Sequence, residues 1–169
     1  MIDAVTARRY ALPDRAATPR RQGRDSMDKR FWICGIVVAA AALILGVIIH
    51  GVLLRADYQA LASLYRTQDQ ANAHAPWILP AYLMIGLAMT WLYRRMPASE
   101  GVDLGRGARF GLAVALVSYV PWHLLAFVGQ PLPLSLMLRQ VAMDLVAMVL
   151  LGMLLAWLQP HRHGLAAPP

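Results

Sequence analysis

The stretch from residue 134 to residue 158 constrains this chain more than any other. It is an apolar run broken only by Arg139, Gln140 and Asp144. As a helix rising ~1.5 Å per residue it would extend ~37 Å, enough to cross a ~30 Å hydrocarbon core with some tilt. Asp144 would then sit near the midplane. A carboxylate at that depth costs at least ~2.5–3.5 kcal/mol, so it must face other helices or water, or carry a proton. The remaining sequence has to supply that environment.

The chain supplies it with further apolar blocks. Of its 169 residues 59% are hydrophobic and 15% charged, too apolar a balance for an ordinary soluble domain. Four apolar segments, at residues 31–54, 77–93, 110–128 and 134–158, alternate with short polar ones. This pattern predicts an all-α polytopic membrane protein, a four-transmembrane-helix bundle over residues 31–159. The bundle uses nearly the whole chain and leaves no length for a soluble catalytic domain. The formal charge of +7 could suggest nucleic acid, but the arginines flank the apolar blocks. That placement matches topology signals and anionic headgroups, so the lipid bilayer is the expected partner and nucleic acid is not. Other membrane subunits or a second copy are further expected partners. The single cysteine, Cys34, excludes an intrachain disulfide and reads as a buried structural thiol.

Residues 1–30 hold Arg8, Arg9, Arg15, Arg20, Arg21, Arg24, Lys29 and Arg30, with Pro13 and Pro19 and no apolar period. This composition predicts a disordered basic tail. Two other readings stand beside it: a targeting signal, and a start at Met27, whose Met27–Trp32 sequence resembles the beginning of an inner-membrane protein. Residues 160–169 form a short polar tail; its His161 and His163 are too sparse a pair to predict a metal site.

Within the first helix Gly35, Ala39, Ala42 and Gly46 recur at intervals of three and four, which would let another helix approach closely. Residues 55–75 are polar yet keep a helical period through Leu54, Tyr58, Leu61 and Tyr65. Pro76 suits the first turn of the second helix. Residues 96–109, with Gly101, Gly105 and Gly107, read as a loop, and Pro121 should kink the third helix.

Basic residues crowd the amino-terminal tail and the segment between helices 2 and 3. They are few between helices 1 and 2 and missing between helices 3 and 4. Both termini are therefore expected to be cytoplasmic. Trp32, Trp91, Tyr93, Phe110 and Trp157 would gather at that interface, with Trp77 and Phe127 at the other.

On this topology the intramembrane polar groups share one half of the bundle. With Tyr119 near the centre, Asp144 lies ~3 Å, His123 ~6 Å, Gln140 ~9 Å and His50 ~10–11 Å toward the outside. Gln140 and Asp144 share a helix face that continues through Met148, Gly152 and Ala156, whereas Arg139 points ~140° away from Asp144. His50, Tyr119, His123, Gln140 and Asp144 are therefore the candidate ligand-binding residues, forming a periplasm-facing pocket. No catalytic residue is assigned, because Ser118 and Ser135 lack a nucleophile setting. Neither a cofactor nor a metal ligand set is predicted. Haem held between His50 and His123 ranks last, since it would need both rings inward on adjacent helices.

The layout resembles the small uncharacterised four-helix inner-membrane proteins of bacteria. The shared features are Gly46–Gly51 with Asp57-Tyr58 after helix 1, Trp91-Leu92-Tyr93 closing helix 2, and Gly107 to Gly111 opening helix 3. The resemblance covers residues 27–159 and implies this architecture in the bacterial inner membrane, with no activity to transfer. The function expected first is a non-enzymatic structural or accessory membrane component. The alternative is small-ligand binding or proton-coupled transport at the pocket around Asp144 and His123.

Overall fold

The computed structural model describes residues 29–97 and 101–159. The expected basic tail, the Met27 start and the carboxyl tail with His161 and His163 lie outside the described residues. Among the described residues the chain is helical with no strand. Helix α1, Lys29–Gly46, continues into a π-helical stretch, Val47–Leu53. Two short helices follow, α2 (Arg55–Ala60) and α3 (Gln68–His74). The remainder is α4 (Ile78–Arg94), α5 (Leu104–Val117), α6 (Tyr119–Gly129) and α7 (Leu134–Leu158). Four helical runs are long and apolar enough to cross a membrane: Lys29–Leu53, Gln68–Arg94, Leu104–Gly129 and Leu134–Leu158. Their outer faces carry large exposed apolar side chains, among them Ile33, Val117, Leu125 and Val146. Such a surface suits hydrocarbon and would be an aggregation liability in water.

The runs pack as two tight pairs, α1 with α4 and α5 with α7, joined through contacts of α1 with α7. Small residues set both pairs. A Cβ on Gly86 of α4 would collide with the Gly35 carbonyl and the Ala39 backbone of α1. The Gly35–Ala39 spacing therefore does bring a second helix to backbone contact. In the other pair Gly107 and Gly111 of α5 lie against Gly152 and the Met148 carbonyl of α7, again with no room for a Cβ.

Two expected boundaries move. The hydropathy pattern predicts the third apolar run over residues 110–128, with residues 96–109 as loop; the helix instead begins at Leu104. Asp103 caps it, its carboxylate accepting from the Arg106 backbone N–H at 2.8 Å. Gly105 and Gly107 are thus helical, and Gly107 is there for close packing, not for a turn. The pattern predicts the second run over residues 77–93; helical structure starts at Gln68, where Thr67 and Gln70 form a capping box. It passes through a 3-10 turn, Ala75–Trp77, with Pro76 in its first turn, and reaches Arg94.

The third run also breaks at Ser118. Pro121 has no N–H to offer the Val117 carbonyl, and its ring crowds that carbonyl. The Ser118 hydroxyl donates back to the Val114 carbonyl at 2.6 Å. The break re-aims α6, which carries Tyr119 and His123 toward α7.

One end of the bundle is closed by the helix termini. The Arg30 guanidinium donates to the Leu158 carbonyl at 2.9 Å, and the buried Cys34 thiol lies 3.9 Å from the same oxygen. Tyr93 and Phe110 meet edge to face at 5.2 Å, and Arg94 sits over the Phe31 ring. The other end carries α2 and the polar groups described below.

The glycine interlock gives a direct test. Gly111→Leu should cost about 3 kcal/mol or more, because the added side chain meets α7 backbone. Gly105→Ala has only the Asp103 carboxylate nearby, at 3.4 Å. It should leave stability unchanged or raise it by up to about 1 kcal/mol. Thermal unfolding of the two variants in detergent separates them; equal melting temperatures would show that Gly111 does not set the α5–α7 distance.

Candidate functional site

The site is built from the π-helical stretch, α2, α6 and α7. The π-helical stretch ends with Leu54 N–H donating to the Ile49 carbonyl at 2.9 Å, a five-residue step. Such segments widen the helix and recur at functional positions. This one carries His50. The chain then turns at the fully buried Leu54 and brings Asp57 and Tyr58 back over the bundle end.

At the centre stands Asp144, 5% exposed. Its Oδ2 accepts from His123 Nε2 at 2.6 Å, and its Oδ1 lies 3.4 Å from His50 Nε2. One carboxylate thus has two imidazoles, one on each oxygen, from two other parts of the chain. A carboxylate can only accept, so both Nε2 atoms carry hydrogen when Asp144 is ionised. His50 Nδ1 is then free to accept from the Tyr58 hydroxyl, 2.8 Å away. The Tyr58 oxygen in turn accepts from Gln140 Nε2 at 3.0 Å. The result is a continuous polar chain from His123 through Asp144, His50 and Tyr58 to Gln140.

Two cavities border this chain. One of about 30 Å³ lies beside the longer His50–Asp144 contact, with Tyr82 and Tyr119 in its wall. It is large enough for one water. Gly46 makes room for the Tyr82 hydroxyl in that wall, with which a Cβ would collide. The second, about 330 Å³, is open and is lined by His50, Tyr58, Tyr119, His123, Gln140 and Asp144, with further aromatic residues at its rim. All five residues singled out from the sequence therefore border one space. His123, Gln140 and Asp144 are buried, while His50 and Tyr119 are partly open.

Sequence reasoning missed Tyr58 and Asp57. Tyr58 entered it as a member of a helical period and of the resemblance, with no role in the site, yet its hydroxyl joins His50 to Gln140. Asp57 holds Arg139: the guanidinium donates to both carboxylate oxygens, at 3.0 and 3.2 Å. Arg139 thus meets another helix and leaves Asp144 to the histidines. The available signal was the polar Asp57-Tyr58 pair directly after an apolar helix, about two turns beyond His50.

Burial raises the Tyr58 hydroxyl above its usual 10.0, the hydrogen bond from Gln140 pulling partly the other way. Burial likewise raises Tyr65. No group of three or more His, Cys, Asp or Glu side chains among the described residues is arranged to hold a metal ion. The two imidazoles that a haem reading needs both approach Asp144. Compared with protein families, curated proteins and solved structures, the chain matches none.

Tyr58 carries a pH prediction. Its raised value means that the folded state holds the phenolic proton more tightly than the unfolded chain. The stabilisation is complete below pH 10 and is lost as pH rises through the folded value. Near neutrality Tyr58→Phe should cost about 1 kcal/mol by breaking two hydrogen bonds beside a wet cavity. Above about pH 10 the wild-type and variant melting curves should converge. A constant gap across that range would show that the hydroxyl is not buried as described.

Proposed function

We propose that this chain is a multi-pass protein of a bacterial inner membrane in which His50, Asp144 and His123 form a proton-binding centre. The centre borders a cavity at the extracytoplasmic end, with Tyr58 in the same wall. The observation that carries this reading is the placement of two imidazoles on one buried carboxylate. An ionised carboxylate has about four acceptor sites, open to donors of any kind. Both donors here are imidazoles, and one of them connects onward to Tyr58.

The chemistry follows from charge. With both imidazoles neutral and Asp144 ionised, the cluster holds a net negative charge inside an apolar bundle. One added proton makes it neutral, shared between a histidine and the carboxylate. Low-dielectric surroundings favour that neutral state over either charged neighbour. Tyr58 can give its proton to His50 Nδ1 and regain one from the adjoining open cavity, while the Gln140 amide holds its oxygen in place. The centre is thus a one-proton store with an entry path, suited to a proton-coupled component.

Orientation is supported by the two ends. Lys29, Arg30, Arg94, Arg95, Arg106 and Arg109 stand at the closed end with Asp103. The cavity end has Arg55, Arg66 and Arg139 against Asp57 and Asp69. The more basic end is assigned to the cytoplasm, which puts both termini there.

Infrared difference spectra of the membrane-reconstituted protein between about pH 5 and pH 8, the range in which histidine ordinarily titrates, test the centre. A carboxyl or imidazole band should appear in wild type and vanish in Asp144→Asn. An identical spectrum in that variant would reduce the cluster to a packing contact.

A further inference from the structure

We infer that the larger cavity binds a small organic cation, a protonated or quaternary amine, in exchange for the proton of the cluster. This inference rests on the proton-binding reading above and adds the ligand class. Four aromatic side chains border the cavity: Tyr58, Tyr65, Tyr119 and Trp122. Tyr58 and Tyr65 meet edge to face at 5.3 Å and form one corner. Among the described residues, Asp144 is the one acidic side chain of the lining, and no lysine or arginine lines the cavity. The nearby guanidinium of Arg139 is held by Asp57. Anions therefore meet a carboxylate and no cation. A cation meets that carboxylate and several π faces, the combination that recognises alkylammonium groups. The volume of about 330 Å³ is at the small end of ligand sites and suits a compact amine.

Exchange follows from electroneutrality. The groups facing Asp144 are His50 from the π-helical stretch, Tyr82 from α4, and Tyr119 and His123 from α6, with Tyr58 of α2 one step further. All are neutral when the histidines carry no extra proton. A bound cation then balances Asp144, and the cluster's own proton becomes surplus. Binding of the cation expels it to the cavity, and protonation expels the cation. No bond other than N–H or O–H forms or breaks.

The test is calorimetric titration of the full chain in detergent with tetraethylammonium chloride, repeated in buffers of different ionisation enthalpy. The expected result is saturable binding with release of up to one proton. Affinity should fall as pH is lowered, by up to about tenfold per unit. Trp122→Ala, a partly lipid-facing change that spares the fold, should weaken binding about three- to tenfold. Asp144→Asn should lose at least about tenfold and all proton release. A neutral tertiary alcohol of the same size should not bind. Binding without proton release, or equal binding of the alcohol, would overturn the inference. So would no tetraethylammonium binding in a protein that still shows the infrared band, and that result would leave the proton centre standing. Loss of both signals would remove both.

Discussion

A carboxylate in the middle of a bundle as apolar as this one has to be answered from within the protein, because the apolar side chains around it offer it nothing. Asp144 is answered twice, by His123 at 2.6 Å and by His50 at 3.4 Å. The shorter contact joins α6 to α7 and the longer one joins the first run to α7. The longer one, with the Tyr58–Gln140 bond, crosses between the two helix pairs, which otherwise pack through small and apolar residues. The polar chain therefore fixes which faces of the pairs meet, while van der Waals contact supplies most of the attraction.

The positions of the partners depend on features far from them in sequence. Gly107, Gly111 and Gly152 bring α5 and α7 to backbone contact and so fix how far along α7 its neighbour reaches. The break at Ser118, forced by Pro121, then turns α6 so that His123 faces Asp144. On the other side the π-helical stretch carries His50, and the buried Leu54 begins the turn that lays Tyr58 against it. Filling a glycine, straightening α6 or regularising the first helix would each displace a different member of the same site.

Much of this was legible in the sequence. The four apolar runs, the helix face from Gln140 through Asp144 to Ala156 and the close-packing glycines follow from hydropathy and the 3.6-residue period. So does the shared depth of the five polar residues, which placed them in one half of the bundle. The pairing of particular atoms was not legible. Whether His50 or Arg139 meets Asp144 depends on how α2 folds back, and nothing periodic encodes a return over the helix end. The early start of α5 was hidden because Gly105 and Gly107 read as turn residues when considered alone. Their helical role shows only once the opposing Gly152 is in place. Asp103 was the local cue, an N-cap residue three positions before the Arg106 N–H that it caps.

The central claim is that His123 and Asp144 are energetically coupled across the α6–α7 contact. A double-mutant cycle with His123→Ala, Asp144→Ala and the double variant, read by reversible unfolding in detergent micelles, measures it directly. The account predicts that the two losses are not additive, with a coupling of about 1 kcal/mol or more near neutral pH. A coupling within about 0.3 kcal/mol of zero would mean that the two side chains stabilise the bundle independently, and would contradict it.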